Sequence, residues 1–177
     1  QSTNNLSKPM PIIKKLIIST IFILSTSQLF AQEVEKIGKY KDWETLVAYE
    51  ASGKVCFAQS SPKLQSPKSN KRKAKLFVTF RPEDNISNEV SVTPGYEFNN
   101  KNSVLATSGK SKFKFDIKEQ GFAWIADNKI EIKMINRMKK GSRIMIMGYD
   151  QKGSQTIDDY SLLGFTKAYN AAKKACT

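Results

Sequence analysis

Polar and hydrophobic positions alternate along much of the chain after residue 42, as they do in β-strands that bury one face. The alternation is clearest in 112–118, where Phe113, Phe115 and Ile117 are predicted to face a core while charged residues face water. Similar runs predict strands at 45–50, 54–59, 76–80, 88–93, 103–107, 122–125, 143–149 and 154–163. Trp43 and Trp124 are interpreted as core anchors. About eight short strands indicate a mainly β domain, either an antiparallel β-sandwich or an open barrel.

The spacing of apolar residues becomes helical in 128–140. Ile130, Met134 and Met138 fall on one face of this segment, and Asn128 and Glu131 have the spacing of a capping box. Two lysines and then a glycine end the segment, as is common at helix C-termini. We therefore expect a short helix at 128–140 whose methionines fill gaps in the core.

A second helix is predicted at 164–175, directly after the last strand. Phe165, Tyr169, Ala172 and Cys176 have helical spacing and share one face, which must pack on the sheets. The segment 159–161 precedes this helix and carries a carboxylate and a hydroxyl. We expect these groups to accept hydrogen bonds from the first free N–H groups of the helix.

The first 31 residues have the pattern of a secretory signal peptide. Lys14 and Lys15 precede an apolar run, and Ala31 is a small residue at the expected cleavage point. A retained membrane anchor is the alternative, but a run of about 15 residues is shorter than the ~20 that span a bilayer. Residues 1–9 precede Met10 and are expected to be an artefact of upstream translation. After cleavage we expect no membrane span, a flexible lead-in at 32–41 and a single domain at 42–177.

Cys56 and Cys176 are the two cysteines of the chain. In an exported protein they are expected to form a disulfide, for which only one pairing exists. A bridge that closes a loop of about 120 residues is worth at most roughly 5 kcal/mol in the chain-entropy model. The alternative is two unpaired, buried thiols.

The chain contains no histidine. Its absence excludes Ser-His-Asp and Cys-His catalysis and histidine metal sites. Asp158 and Asp159 would point to opposite faces of a strand, so they are poorly placed to share a reaction. We interpret them, and the acidic pair at 83–84, as solvated turns or strand ends. No catalytic residue, cofactor or metal site is therefore expected.

Basic residues cluster in the loop predicted between the strands at 54–59 and 76–80. The chain has 29 Lys and Arg against 16 Asp and Glu, a formal net charge of +13. The candidate residues for binding an anion or a partner are Lys63, Lys68, Lys71, Arg72, Lys73 and Lys75. Such a loop would attract anionic envelope lipid, lipopolysaccharide, cell-wall polymers or nucleic acid, or a protein of the envelope. It has no aromatic residue for base stacking, so no specific nucleic-acid binding is expected. The alternative is that the basic residues merely keep the chain in solution.

Short motifs spread over 42–176 follow an order that is typical of one bacterial family. They occur at 42–43, 53–58, 89–92, 95–96, 123–124, 138–142 and 159–171, with a cysteine at 176. The most specific run contains Asp159, Tyr160, Ser161, Leu162, Gly164, Phe165, Thr166 and Ala168. Together these motifs resemble the invasion-associated locus B family of exported proteins. The resemblance implies a small β-sandwich of the periplasm or outer envelope of a Gram-negative bacterium. It implies no assigned activity and provides no catalytic residues.

Three hypotheses about function follow. The leading hypothesis is a non-enzymatic envelope protein that binds an anionic envelope component or a protein partner through the basic loop. The second is an enzyme or enzyme inhibitor with a carboxylate or loop site on the sandwich rim, which requires a concave pocket with converging acids. The third is a structural or chaperone-like module, which requires an exposed apolar groove or strand edge.

Overall fold

The computed structural model describes residues 33–69 and 71–177. The predicted signal peptide at 1–31, including 1–9, lies outside the described residues. Within them the chain forms twelve strands and two α-helices. The strands are β1 (Val34–Tyr40), β2 (Trp43–Glu50), β3 (Gly53–Ser60), β4 (Leu64–Ser66), β5 (Lys75–Arg81), β6 (Ile86–Thr93), β7 (Val104–Ser108), β8 (Ser111–Phe115), β9 (Ile117–Glu119), β10 (Phe122–Trp124), β11 (Arg143–Tyr149) and β12 (Gln155–Ser161). The helices are α1 (Asn128–Lys140) and α2 (Phe165–Ala175).

The strands form two antiparallel sheets in a sandwich-like arrangement. One sheet has seven strands in the order β1-β2-β3-β5-β6-β10-β9, and the other has five in the order β4-β12-β11-β7-β8. The predicted mainly β fold with two late helices is confirmed, and the described strands do not close into a barrel. The twelve strands exceed the predicted number of about eight because β1 and β4 lack the alternating pattern and because residues 112–118 form two strands.

The core consists of the alternate residues that each sheet directs inward. Partner residues such as Val47 and Cys56 lie opposite each other and are both buried. The same alternation buries Ile144 opposite Tyr160 on the five-stranded sheet. Trp43 is fully buried, as predicted for a core anchor, and its indole N–H donates to the Ser161 carbonyl at 2.9 Å.

The strand predicted at 112–118 changes sheets in its middle. Phe115 ends β8 in the five-stranded sheet, whereas Ile117 begins β9 in the seven-stranded sheet. The Asp116 N–H between them donates to the Trp124 carbonyl at 2.8 Å. This crossing resets the alternation, so the prediction is right for Phe115 but wrong for Ile117, whose side chain is 46% exposed.

The segment predicted as a flexible lead-in at 32–41 is largely the edge strand β1. Its residues 34–40 pair with β2 although most of them are polar, and a bulge lies between Lys36 and Gly38. An ion pair from Lys36 to Glu44, at 2.7 Å, crosses the two strands on the exposed side. Because none of the residues of β1 is fully buried, this edge strand needs no apolar alternation, and its sequence does not indicate a strand.

Helix α1 buries the predicted face, including Met134 and Met138. The predicted capping box is not present at its N-terminus. Its N-cap is Asp127, whose carboxylate accepts from the Lys129 N–H at 2.8 Å. Glu131 is instead buried, and its Oε1 accepts from the Val90 N–H at 2.7 Å. This carboxylate therefore attaches α1 to β6.

Helix α2 packs its predicted apolar face on the inner side of the seven-stranded sheet, and the predicted disulfide between Cys56 and Cys176 is present. Thr45 Oγ1 also donates to the carbonyl of Ala168 at 2.9 Å. The predicted side-chain cap of this helix is absent. The helix begins after Gly164, at φ 89°, without a side-chain hydrogen bond, because the Ser161 hydroxyl accepts from the N–H of Leu163 outside the helix.

Candidate functional site

The first part of the basic loop belongs to the five-stranded sheet. Its residues 64–66 form β4, the edge strand that pairs with β12. Just before this strand, the Lys63 N–H donates to the carbonyl of Asp159 at 2.8 Å. The basic loop therefore begins as part of the five-stranded sheet and leads to β5 in the other sheet.

Arg72 is buried within this loop and is not available to a partner. Its side chain is 3% exposed, and that of Asp158 is 2% exposed. Two nitrogens of the guanidinium donate to the two carboxylate oxygens, Nη1 to Oδ2 at 2.8 Å and Nη2 to Oδ1 at 2.6 Å. The structure thus corrects two predictions, since Arg72 is not an exposed anion-binding residue and Asp158 is not solvated. A buried charge requires a paired opposite charge, which each residue provides for the other.

Neighbouring groups hold the Arg72–Asp158 pair in position. Gln65 joins both members, because its amide donates to Asp158 Oδ1 at 2.9 Å and accepts from the Arg72 N–H at 3.0 Å. The guanidinium also donates to the Pro94 carbonyl at 2.9 Å, and it lies 5.6 Å from the centroid of the Tyr96 ring. The loop is therefore attached to both sheets through a single side chain.

The five lysines of the predicted site divide into two groups. Lys63 pairs with the Asp42 carboxylate at 2.5 Å, and this hydrogen bond is the main cause that lowers the pKa of Asp42. Lys75 donates to the hydroxyl of Ser61 at 3.2 Å. The other three lysines are exposed, and no carboxylate in 33–69 or 71–177 forms a salt bridge with them. They are Lys68, Lys71 and Lys73.

A cleft of about 640 Å³ lies between α1 and the strands β6, β10 and β9 of the seven-stranded sheet. Glu89, Glu119, Glu131 and Trp124 line part of it. Burial raises the pKa of both Glu89 and Glu131. Both oxygens of Glu131 already accept hydrogen bonds, from the Val90 N–H and from the Asn128 amide. Its arrangement is therefore that of a structural carboxylate.

An aromatic groove on the outer face of the seven-stranded sheet adjoins this cleft. Phe57, Phe77, Phe122 and Trp124 line it, and the rings of Phe122 and Trp124 stack with their centroids 5.7 Å apart. Trp124, which is predicted to be a core anchor, is only partly buried and lines this groove, and the groove is not among the predicted sites. The available signal was that Phe77 lies between two apolar residues, so its strand is apolar on both faces.

A model of the family described as "Invasion associated locus B (IalB) protein" matches residues 43–173, from the start of β2 into α2. The chain belongs to this family. The resemblance noted in the sequence is thereby confirmed. No curated protein and no solved structure matches the chain.

Membership of the IalB family supports an envelope-associated protein. The disulfide between Cys56 and Cys176 is consistent with export, because such bonds persist in oxidising compartments. None of the helices in 33–69 and 71–177 has the length and apolar character needed to cross a membrane.

The most specific family motif lies where β12 leads into α2. Tyr160, Leu162, Phe165 and Ala168 are buried, and Asp159 pairs with Arg143 on the outer face of the five-stranded sheet. Ser161 and Thr166 lie nearer the surface, and Gly164 forms the turn. Burial raises the pKa of the Tyr160 hydroxyl well above its ordinary value, and the nearby Asp158 carboxylate adds to this effect. This motif therefore positions the closing helix.

Proposed function

We propose that the protein is a non-enzymatic component of the periplasm or outer envelope of a Gram-negative bacterium that binds an anionic envelope component. Lys68, Lys71 and Lys73 would make the contact. The observation that supports this proposal is the pairing of the buried Arg72 with Asp158, which fixes the loop while the lysines on both sides of Arg72 remain exposed.

The physical argument combines charge with a fixed loop. A lysine near an anionic membrane surface contributes about 1 kcal/mol, so three lysines together give about 100-fold in affinity. A flexible loop would lose part of this gain to the entropy of ordering its residues on binding. The Arg72–Asp158 pair reduces that loss because it holds residue 72, which lies between Lys71 and Lys73, in position in the free protein.

A charge-matched comparison tests the proposal. In the loop variant, Lys68, Lys71 and Lys73 are changed together to Gln. In the control variant, three exposed lysines of α1 are changed to Gln, namely Lys129, Lys133 and Lys140. Both variants lose the same net charge. Sedimentation with lipopolysaccharide and with vesicles of phosphatidylglycerol and phosphatidylethanolamine is measured between 0.05 and 0.5 M salt, on the order of the range over which screening becomes strong.

The loop variant is expected to bind about 100-fold more weakly at low salt, and the control variant only a few-fold more weakly. Binding of the wild type should fall as salt increases. Equal losses in the two variants would show that only the net charge matters. Binding that is indifferent to salt would overturn the electrostatic contact.

The carboxylates of the cleft favour a second candidate, an enzyme or enzyme inhibitor. Glu89 has a pKa raised by burial and lies beside Trp124 in the cleft. Incubation with peptidoglycan tests this candidate, with Glu89→Gln as the variant and Glu119→Gln as the matched control in the same cleft. Cleavage that is lost in Glu89→Gln and retained in Glu119→Gln would favour an enzyme.

A further inference from the structure

The outer face of the five-stranded sheet carries a group of apolar side chains. Leu105, Met147 and Ile157 lie side by side on three neighbouring strands, because Met147 is the partner of both other residues. Leu64 and Met145 lie in the next row along the strands, on either side of residue 159, which is the pairing partner of both. We call this set of five residues the methionine face.

The methionine face is accessible to a partner. Leu64 is 61% exposed and Met145 is 38% exposed, and the other three side chains are partly exposed. Tyr149 continues the same face and contacts the amide of Gln155 through its hydroxyl at 2.8 Å. An exposed apolar surface on a folded domain indicates an interaction site, and a tyrosine at its border is typical of a boundary between apolar and aqueous phases.

Positive charges border the methionine face on both sides. On the β8 edge, Lys112 and Lys114 point outward as the partners of Thr107 and Leu105. On the β4 edge the basic loop follows, with the exposed Lys68 two residues after the strand ends. Among the outward positions of the described strands of this sheet, Asp159 is the one carboxylate, and Arg143 pairs with it.

We propose that the methionine face docks on an anionic glycerophospholipid bilayer. Leu64, Met145 and Met147 enter the boundary between headgroups and acyl chains, while the bordering lysines contact headgroup phosphates. An apolar centre with a basic border is the chemistry that holds a protein at such a surface. Methionine suits a fluid surface because its unbranched side chain adapts to irregular neighbours. The inference rests on the proposed function and names the anionic component as lipid.

The same charges argue against a second copy of the chain as the occupant. Two copies that meet through the methionine face would bring lysines of the same edges together in a protein of net charge +13. Like charges across an interface are unfavourable. An envelope protein with an acidic border around an apolar patch is the remaining alternative, and the experiment separates it from lipid.

The first experiment removes the apolar contacts and keeps the charge. Leu64→Gln with Met145→Gln is compared with Ile37→Gln and Ile132→Gln, which alter two apolar residues on other surfaces, each 41% exposed. Sedimentation uses phosphatidylglycerol:phosphatidylethanolamine vesicles and neutral phosphatidylcholine vesicles. In 0.5 M salt, on the order of a 4 Å screening length, the lysine contacts are largely screened and the apolar contribution remains. The Leu64/Met145 variant should then bind about 10-fold more weakly than the wild type, and the control variant should match the wild type.

The second experiment observes the methionines directly in the unchanged protein. Met145 and Met147 are oxidised by hydrogen peroxide, and the sulfoxide at each position is followed by mass spectrometry. Anionic vesicles should slow the oxidation of both residues several-fold, while the buried Met134 and Met138 should oxidise at rates that vesicles do not change.

The outcomes separate this inference from the proposed function. In one outcome, vesicle binding depends on the loop lysines, disappears in high salt and does not protect Met145 and Met147 from oxidation. This result overturns docking by the methionine face and leaves the proposed function standing. Binding to lipopolysaccharide and vesicles that ignores the loop lysines overturns the proposed function. If lipid-free envelope proteins slow the oxidation of Met145 and Met147 and vesicles do not, the occupant of the methionine face is a protein, and docking on a bilayer is overturned.

Discussion

Arg72 and Asp158 form a bidentate ion pair that is almost completely buried, with nitrogen–oxygen distances of 2.6 and 2.8 Å. Arg72 belongs to the basic loop and Asp158 to the inner face of β12. The pair therefore couples the conformation of a surface loop to the interior of the sandwich. Substitutions at Asp158 should change both the stability of the fold and the position of the exposed lysines.

Asp158→Asn is expected to lower the free energy of unfolding by about 3 kcal/mol, because it leaves the Arg72 charge buried without its partner. Urea unfolding of the oxidised protein measures this loss. The double variant Arg72→Met with Asp158→Leu replaces the pair by apolar residues and should recover at least half of it. A double variant that is less stable than Asp158→Asn would show that the pair contributes more than mutual neutralisation.

The elements that the sequence predicts correctly are those in which one face is apolar and the other polar. The helix face with Met134 and Met138 and the alternation in β8 belong to this class. In both, the spacing of apolar residues along the chain marks the positions that are buried. The exposure of Ile117 was missed because it depends on where the chain changes sheets. Such a crossing is a property of the topology and leaves little trace in local spacing.

The candidate site was predicted only in part, for a similar reason. Lys71 and Lys73 are exposed as a basic run suggests, but Arg72 between them turns inward to a carboxylate 86 residues later in the chain. Local composition contains no information about a partner so distant in sequence. The methionine face was also missed, because residues 144–147 are all apolar and their spacing does not show that Met145 and Met147 face outward while Ile146 is buried.

Gly164→Ala should destabilise the protein by about 4 kcal/mol or more, since a Cβ atom there would collide with the backbone carbonyl of Tyr40 and the residue has φ 89°. Gly153→Ala is the matched control. Its φ is 83°, and no atom lies within 4 Å of the added carbon, so only the backbone strain of about 1–2 kcal/mol is expected. Thermal unfolding of both variants measures the difference. Equal shifts would contradict the close approach of this turn to β1.

Cys56→Ser with Cys176→Ser should lower the free energy of unfolding by about 4–5 kcal/mol, because the disulfide joins residues that are 120 apart in sequence. The unfolded chain without the bridge is less compact, so the denaturant dependence should also steepen. Urea unfolding under oxidising conditions is the measurement, and wild-type protein reduced with dithiothreitol is the control that should match the double variant. A loss below about 1 kcal/mol would mean that the loop is already restricted in the unfolded state.

The buried carboxyl of Glu131 predicts a pH dependence of stability with a definite sign. Burial raises its pKa in the folded protein above the ordinary value of 4.5. Its contribution to stability is therefore complete below pH 4.5 and is lost as the pH rises through the raised value. The destabilisation caused by Glu131→Gln should be largest in acid and should decrease toward neutral pH, as measured by urea unfolding at a series of pH values.

Glu44→Gln provides a control in which the sign is reversed. The hydrogen bond from Lys36 lowers the pKa of Glu44 below 4.5, so its contribution is present above that pH and is lost as the pH falls through the lowered value. The destabilisation by Glu44→Gln should accordingly increase toward neutral pH. If the two variants change in the same direction with pH, the Glu131 carboxyl ionises more readily in the folded protein than in the unfolded chain. Its hydrogen bonds to the Val90 N–H and the Asn128 amide would then outweigh its burial.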